Sequence, residues 1–186
     1  MVQIETEVKV RVGDPRHMRA RLRSLGADMT HPRLFEDNFV LDFPDRRILR
    51  QESLLRVRLS GKRASLTYKG PARRGKGFKS RREIETGIED GPGLLRILFR
   101  LGLRPQFQYQ KFKTSFRKSP VLITLEETPI GDFLEIEGPR RGIDVVAAGL
   151  GYRRADYITK TYYELFVEYR ATNRRRNKNM IFDINE

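Results

Sequence analysis

The segment Ile4-Glu5-Thr6-Glu7-Val8-Lys9-Val10, close to the amino terminus, decides the fold. Side chains of a β-strand point alternately to opposite faces, and here Glu5, Glu7 and Lys9 alternate with mostly apolar residues. The segment therefore predicts a strand with one apolar face and one charged face. A single strand of this kind is most often half exposed, with its charges in water. If other strands repeat the pattern, their charged faces belong together and the interpretation changes.

The same alternation recurs in five other predicted strands. Their apolar faces consist of Ile, Leu, Val and Phe, while their charged faces carry both signs. The charged positions are Arg56 and Arg58; Lys69; Arg81, Glu83 and Glu85; Lys111 and Lys113; and Glu135 and Glu137. About eight strands joined mostly by hairpins predict an antiparallel sheet. Helices with apolar stripes would cover its apolar face.

Short helices separate the groups of strands. Three of them are predicted to end in a Leu-Gly pair, at Leu25-Gly26, Leu101-Gly102 and Leu150-Gly151, because glycine is the usual residue just after a helix end. A fourth helix is predicted over residues 158–169. The class that follows is α+β.

The chain length of 186 residues fits one domain with a substantial core. We place that domain over residues 1–169 and a basic, flexible tail over residues 170–186. The tail contains Arg174-Arg175-Arg176, expected to be solvated, and its stretch 180–184 is the part expected to dock weakly. Residues 70–80 are rich in Gly, Arg and Lys, which predicts a mobile basic loop.

The amino-acid composition restricts which metal sites, nucleophiles and partners are possible. The chain has no cysteine and two histidines, so disulfides, thiolate metal sites and cysteine nucleophiles are excluded and a histidine-rich metal site is disfavoured. Carboxylates remain as metal ligands, and they favour Mg²⁺ or Mn²⁺. The net charge of +14 favours an anionic partner. No apolar run has the length of a membrane span and no signal-peptide core is present, which predicts a cytoplasmic protein with no membrane partner.

The charged faces suggest a tunnel. If the sheet closes into a barrel, its charged face becomes an inner wall. Buried charges are costly unless they are compensated, so such an interior is unsuitable as a packed core. It suits a cavity in which Arg and Lys hold phosphate oxygens and converging pairs of glutamates hold divalent cations. An open sheet with salt-bridged, solvated faces is the structural alternative.

These motifs, in this order, resemble those of the CYTH, or triphosphate tunnel metalloenzyme, superfamily. The resemblance runs from about residue 3 to residue 165. The matching segments are Glu5-Thr6-Glu7-Val8-Lys9, Leu55-Arg56-Val57-Arg58, Thr67-Tyr68-Lys69-Gly70, Arg81-Arg82-Glu83-Ile84-Glu85, Gly131-Asp132-Phe133-Leu134-Glu135-Ile136-Glu137 and Thr159-Lys160-Thr161-Tyr162. The chain departs from the family in Lys111-Phe112-Lys113, where Lys-x-Arg is usual, and in Glu126, where Asp is usual.

The resemblance implies an eight-stranded antiparallel β-barrel, or tunnel, with flanking helices. It also implies a triphosphate substrate bound by basic residues and Mg²⁺ or Mn²⁺ held by glutamates. The metal candidates are Glu5, Glu7, Glu83, Glu85, Glu135 and Glu137. The substrate-binding candidates are Lys9, Arg56, Arg58, Lys69, Arg81, Lys111 and Lys113. The catalytic candidates are Glu5, Glu7, Glu85 and Lys160.

Strand alternation also places other side chains near these motifs inside or outside the tunnel. Arg82 has the wrong parity for the tunnel and is expected outside, whereas Glu126 is expected to support the site. Tyr162 and Tyr163 are expected to be packing aromatics of the last helix.

Two reactions fit the implied scaffold. One is hydrolysis of tripolyphosphate, a nucleoside triphosphate or thiamine triphosphate, and the other is cyclisation of ATP to cyclic AMP and pyrophosphate. Cyclases of the family carry a His-Phe pair shortly before Glu-x-Glu-x-Lys, and Met1-Val2-Gln3-Ile4 has none, which favours the hydrolase.

A third hypothesis is a non-catalytic binder of polyphosphate or nucleic acid. The charge of +14 and the segment Arg73-Arg74-Gly75-Lys76 motivate it. The glutamates of the charged faces argue against it, since each would oppose binding to a polyanion. We therefore expect a triphosphate-containing small molecule as partner, no specific nucleic acid, and a monomer or homodimer.

Overall fold

The structure is a computed structural model that describes residues 3–75, 77–173 and 177–183. The predictions for Lys76, for Arg174-Arg175-Arg176 and for residue Ile184 lie outside this part. The strands are β1 (Gln3–Val12), β2 (Asp28–Asp42), β3 (Leu54–Ser60), β4 (Arg63–Lys69), β5 (Arg73–Gly75), β6 (Phe78–Ile88), β7 (Arg104–Lys118), β8 (Val121–Thr128) and β9 (Gly131–Glu137). The helices are α1 (Pro15–Ser24), α2 (Arg47–Arg50), α3 (Gly91–Arg100), α4 (Arg140–Gly149) and α5 (Tyr162–Asn173).

Eight strands form a closed antiparallel barrel, which confirms the predicted fold. Their order around the barrel is β1-β9-β8-β7-β2-β3-β4-β6, and β6 pairs with β1 to close it. The closing register places Glu5 opposite Arg81 and Glu7 opposite Lys79. Strand β5 pairs only with β6, outside the closed ring. Because all edges of the ring are paired, the inward-facing side chains enclose a tunnel.

The prediction of a mobile loop over residues 70–80 was wrong. Residues Arg73 to Gly75 form β5, and β6 already begins at Phe78. Composition misled the prediction, because Gly, Arg and Lys are typical of loops. The better signal was periodicity, since Lys79 continues the inward alternation of Arg81 and Glu83.

Helices cover the apolar outer face of the barrel as expected. Helices α1 and α4 pack on β1, β8 and β9, where Leu22 and Ile143 are fully buried. Helix α3 covers β3 and β4 with Leu95. The helix ends at Leu-Gly are confirmed, since each of the three glycines has a positive φ, as at Gly102 with 95°.

Helix α5 packs against aromatic residues of β7 and β9 that have the inward parity of their strands. It begins at Tyr162, four residues later than predicted, so Lys160 precedes it. Its Leu165 and Phe166 pack with Phe107, which has the same inward parity on β7 as Lys111. None of the helices in residues 3–75, 77–173 and 177–183 is long and apolar enough to cross a membrane.

Residues 177–183, within the predicted tail, contact the barrel. Helix α5 itself continues to Asn173. Met180 is fully buried, and its backbone pairs with β7 through hydrogen bonds to Gln108 (2.9 Å) and Gln110 (2.8 Å). This pairing satisfies backbone groups of β7 beyond the point where β8 ends. The described residues 177–183 are therefore packed against the barrel.

Candidate active site

The barrel encloses a cavity of about 1140 Å³ that is lined by charges of both signs. All predicted metal and substrate-binding residues line it. They are Glu5, Glu7, Lys9, Arg56, Arg58, Lys69, Arg81, Glu83, Glu85, Lys111, Lys113, Glu135 and Glu137. The alternation of the strands therefore identified the inner wall of the tunnel.

A group of three carboxylates lies where β1 meets β9. Glu5, Glu7 and Glu135 each place one carboxylate oxygen within 4.8 Å of the other two. Glu137 lies next to this group as the pairing partner of Glu7. Glu5 and Glu7 are buried, at 8% and 4% exposure. Several buried carboxylate oxygens in one place are the donor set that hard divalent cations require.

The electrostatics of this group show that its carboxylates are crowded. Burial and the neighbouring Glu7 raise the pKa of the Glu5 carboxyl to about 8. Burial and the nearby Glu135 raise the pKa of Glu137 to about 7. For Glu7, burial pushes the pKa up, but the ammonium groups of Lys9 and Lys79 lower it well below its ordinary value. A divalent cation would relieve the repulsion that remains.

Lysines pair with the carboxylates of this wall. Lys9 lies 2.5 Å from Glu135, Lys69 lies 2.6 Å from Glu5, and Lys79 pairs with Glu7. These pairs compensate part of the negative charge but leave Glu5 and Glu137 with raised carboxyl pKa values.

Arg81 differs from these lysines. Its side chain is buried, its Nε has no hydrogen-bond partner, and no carboxylate of the described residues lies within salt-bridge distance of it. Burial lowers the pKa of Arg81, although its guanidinium stays charged. The carboxylates of Glu5, Glu7 and Glu83 favour its charge, but none of them forms an ion pair with it, so this position suits an anionic ligand.

The wall formed by β2, β3 and β7 has the opposite character. Glu36 is 2% exposed and contacts Lys113 at 2.8 Å, Arg58 at 3.3 Å and Lys111 at 3.7 Å. Burial alone would raise the pKa of Glu36, but these three cations lower it to about 2. Lys111 also lies 2.5 Å from Glu126. We call this the compensated wall, because each of these two carboxylates is paired with at least one cation.

Glu126 and Tyr162 extend the compensated wall. The Tyr162 hydroxyl donates a hydrogen bond to Glu126, and both side chains are buried. Tyr162 is therefore more than a packing aromatic: its ring packs against Tyr109 and Phe133 while its hydroxyl fixes the carboxylate that holds Lys111.

Glu83 adjoins the three-carboxylate group, because its side chain interacts with that of Glu5 and both contact Lys69, whereas Glu85 lies further along β6. Glu83 contacts Lys69 at 2.9 Å. Glu85 accepts a hydrogen bond from Thr67 at 2.6 Å and lies 3.5 Å from Arg56, with 43% of its side chain exposed. The structure therefore brings Glu83 next to Glu5 and places Glu85 with Arg56 and Thr67.

Lys160 is the one candidate that does not line the tunnel. Its Nζ lies 2.5 Å from Glu168 on the outside of α5, and its side chain is 47% exposed. Arg82 is exposed as expected.

Glu36, Lys79 and Tyr109 line the tunnel or contact its charges but were not predicted to belong to the site. Tyr109 accepts a hydrogen bond from Arg56 at 3.1 Å. Glu36 and Asn38 do alternate in β2, but the mixed apolar and polar character of both faces concealed the signal. Lys79 was missed because its segment was assigned to a loop.

A family model of the CYTH domain matches residues 3–162. The chain belongs to the CYTH family. A relative from Methanocaldococcus jannaschii named "putative adenylate cyclase" is 27% identical over 173 residues, covering 87% of this CYTH chain and 98% of the relative.

Solved structures show the same fold. A "putative adenylate cyclase" from Vibrio parahaemolyticus superposes with a TM-score of 0.79 at 20% identity, covering 89% of this chain and 98% of its own. A "putative adenylyl cyclase" from Hippeastrum, described as having a dominant triphosphatase activity, has a TM-score of 0.64 at 14% identity, with coverages of 92% and 96%. At these identities the likeness shows a shared CYTH fold.

Proposed function

We propose that this CYTH protein is a divalent-metal-dependent enzyme that binds a triphosphate chain inside its tunnel and hydrolyses it. One observation carries the proposal: the carboxylates of Glu5, Glu7 and Glu135 converge beside Arg81, a buried cation without a partner. A site that combines oxygen ligands for a cation with a guanidinium that makes no ion pair suits a metal-bound polyanion. The candidate substrates are tripolyphosphate, nucleoside triphosphates and thiamine triphosphate.

The donor set fits Mg²⁺ or Mn²⁺. Glu5, Glu7 and Glu135 would hold the ion, and Glu137 borders them. When bound, such an ion neutralises charge on phosphate oxygens and orients an attacking water or hydroxyl.

The opposite wall binds the phosphate chain. In the eight-stranded ring β2 is four strands away from β1 in either direction, so the two strands face each other across the tunnel. Arg58 and Lys113, next to β2 on β3 and β7, present charged groups to the cavity. Arginine offers a planar fork to phosphate oxygens and lysine offers a point charge, so together they hold the chain against the carboxylate wall.

Hydrolysis joins a water oxygen to a phosphorus atom, releases one proton of that water to the solvent and breaks the bridging P–O bond, which leaves negative charge on the departing phosphate oxygen. The fixed cations of the tunnel, above all the buried Arg56 and Arg81, stabilise that charge without having to reorganise. The barrel wall also restricts the number of water molecules around the substrate.

Cyclisation of ATP is the second candidate, and the name of the relative from Methanocaldococcus jannaschii supports it. In that reaction the ribose 3′-hydroxyl attacks the α-phosphorus and pyrophosphate leaves. The same carboxylates and cations would serve both reactions, because both need a held triphosphate and a stabilised leaving group.

The deciding experiment incubates the protein with Mg²⁺ or Mn²⁺ and either ATP or tripolyphosphate and separates the products. Orthophosphate identifies a hydrolase, and cyclic AMP with pyrophosphate identifies a cyclase. Excess EDTA should abolish either reaction. A rate that EDTA leaves unchanged, or no product from either substrate, would contradict the proposal.

A further inference from the structure

The tunnel does not account for the net charge of the chain. Among the described residues, ten cations and ten carboxylates line the tunnel cavity, so their formal charges cancel. The chain as a whole has a formal net charge of +14. The entire excess therefore lies outside these lining residues, and a ligand of the tunnel does not explain it.

Part of this excess lies on helix α1. Its ten residues include Arg16, Arg19, Arg21 and Arg23 and no carboxylate. Arg19 is paired with Glu127 at 2.6 Å, but Arg21 and Arg23 form no ion pair with any residue that the structure describes. The last turn of α1 is therefore basic and lacks compensating carboxylates.

A second cavity, outside the tunnel, lies beside the end of α1. It has a volume of about 280 Å³. Its lining includes Lys118, Ser119, Pro120, Arg141, Val145 and Val146. Lys118 links the cavity to α1, because its Nζ donates a hydrogen bond to the backbone carbonyl of Leu25 at 2.7 Å. We call the cations Arg21, Arg23, Lys118 and Arg141 the outer basic face.

Helix ends hold two of these cations in place. Arg21 donates a hydrogen bond to the carbonyl of Leu150 at 2.5 Å, and Lys118 donates to that of Leu25. These carbonyls belong to the capping residues at the ends of α4 and α1, where a positive charge is favourable. An ammonium has three donors and a guanidinium has five, so donors remain for an anion.

Carboxylates of the neighbouring elements are matched by other arginines. Asp144, on α4, contacts Arg154 at 2.5 Å. Asp28, at the start of β2, is the strand partner of Arg117. Lys118 and Arg141, like the two arginines of α1, form no ion pair within the described part of the chain. The outer basic face therefore suits an external anion.

The lining of the second cavity indicates what kind of anion fits. Pro120, Val145 and Val146 make it largely apolar, and Val145 is 60% exposed. A bare phosphate chain gains nothing from these side chains, whereas the sugar and base of a nucleotide gain apolar contact. The described lining has no aromatic residue, and a membrane surface is usually bound through larger apolar and aromatic side chains.

We propose that the outer basic face binds single-stranded nucleic acid, with backbone phosphates on its four cations and a sugar or base against Val145. An unpaired strand is required, because the bases of a duplex are stacked inside it. Contacts to phosphates carry no sequence information, so the binding is independent of base sequence. This activity is separate from the tunnel and does not depend on the proposed function.

The test measures the fluorescence anisotropy of a labelled oligouridine of about 20 nucleotides, without a 5′-triphosphate, at about 50–200 mM salt. The wild type is compared with the double variants Lys118→Gln with Arg141→Gln and Lys62→Gln with Arg63→Gln. The second is the matched control, because Lys62 and Arg63 are exposed at the β3–β4 turn and form no ion pair among the described residues. Melting temperatures show whether each protein is folded.

Four phosphate contacts predict a slope of about −3 for log K against log salt concentration in the wild type, since each contact to a single strand contributes about 0.7. In Lys118→Gln with Arg141→Gln the slope should shrink to about −1.5, and the affinity at about 100 mM salt should fall roughly 20-fold. The control pair should keep the affinity within about twofold. Turnover of tripolyphosphate should be the same in all three proteins.

A single substitution tests the position of the nucleotide. Val145→Glu places a carboxylate in the second cavity and should weaken oligouridine binding about threefold or more. Ile97→Glu is its control, because Ile97 is a 59% exposed residue on α3 that does not line this cavity. Arg81→Gln, inside the tunnel, should bind oligouridine as the wild type does, so that activity and nucleic-acid binding are scored separately.

Several results would overturn the inference. No oligouridine binding at about 50 mM salt would do so, as would an equal loss of affinity in the two double variants. Inorganic polyphosphate or polyglutamate of the same total charge that binds as tightly as oligouridine would show that the face does not recognise nucleotides. Binding to vesicles that contain phosphatidylserine, without binding to oligouridine, would assign the face to a membrane.

Discussion

Two buried glutamates face the same tunnel from opposite walls, and their environments differ. Glu5, on β1, lies beside Glu7 and close to one lysine, Lys69, and burial raises its carboxyl pKa to about 8. Glu36, on β2, is surrounded by three cations that lower its carboxyl pKa to about 2. Both side chains are more than nine-tenths buried, so the neighbouring charges decide the difference.

The comparison shows how one tunnel can serve two roles. On the wall of β1 and β9 the carboxylates lack sufficient cations of their own, so that wall has room for a divalent cation. On the wall of β2 and β7 the cations already surround the carboxylate of Glu36. The same cations, Arg58, Lys111 and Lys113, also line the cavity. The following predictions test this division, from the largest expected effect to the smallest.

Removing charge from the carboxylate wall should have the largest effect. In the double variant Glu5→Gln with Glu7→Gln, kcat/KM should fall roughly 1000-fold, because a bound divalent ion supplies several kcal/mol of charge stabilisation. Mn²⁺ binding, followed by electron paramagnetic resonance, should weaken in parallel. Glu168→Gln, on the outer surface, is the control. Turnover that survives in the double variant would show that this wall does not hold the metal.

The corresponding change on the compensated wall should act on stability. Glu36→Gln should lower the free energy of unfolding at pH 7 by roughly 3 kcal/mol, since each unit of pKa difference corresponds to about 1.4 kcal/mol. The folded-state pKa lies below the ordinary value of 4.5, so the contribution is complete well above pH 4.5 and disappears as the pH falls toward 2. Urea unfolding of the wild type and of Glu36→Gln between pH 7 and pH 3 measures this: the difference between their unfolding free energies should shrink as the pH falls.

The same Glu-to-Gln substitution in an exposed ion pair is the control for the Glu36→Gln experiment. Glu168 contacts Lys160 at 2.5 Å, but both side chains are about half exposed. Glu168→Gln should therefore change the unfolding free energy by less than about 1 kcal/mol at pH 7. A difference between Glu36→Gln and the wild type that does not shrink in acid would show that the cations do not act through the Glu36 charge.

Substitution of Arg81 should lower activity without lowering stability. Arg81→Gln should lower kcat/KM by about 10- to 100-fold, the range for losing a hydrogen bond to a charged group. Its melting temperature should change little, because the variant loses no hydrogen bond or ion pair of Arg81, and the relieved cost of burying the guanidinium offsets the lost attraction to Glu5, Glu7 and Glu83. Lys113→Gln, which removes a contact to Glu36, should lower both quantities. A clear loss of stability in Arg81→Gln would contradict the idea that this cation is reserved for a ligand.

The smallest effect is expected at Lys160. Its side chain pairs with Glu168 outside the tunnel, so Lys160→Gln should change kcat/KM by less than about twofold. Steady-state kinetics of Lys160→Gln, measured together with Lys113→Gln, checks this value of kcat/KM. A larger loss would mean that Lys160 turns toward the tunnel during turnover, as the family motif at residues 159–162 implies.

The sequence by itself determined which side chains point inward. Alternation is a property of every single strand, so Glu5, Arg56, Lys111 and Glu135 could be assigned to the tunnel without knowing which strands are neighbours. The combination of amphipathic strands and capped helices likewise determined the α+β class. Closure of the sheet was implied by the family resemblance, with an open sheet as the alternative, and the pairing of β6 with β1 decided it.

Only the tertiary structure decided which charges meet. The pairing of β6 with β1 brings Lys79 to Glu7 and leaves Arg81 without a partner, and the pairing of β2 with β3 and β7 surrounds Glu36 with cations. Those contacts depend on strand register between distant segments, which local periodicity does not encode. The sequence could not predict the direction of Lys160 either, since a side chain in the segment just before a helix can face the tunnel or the solvent.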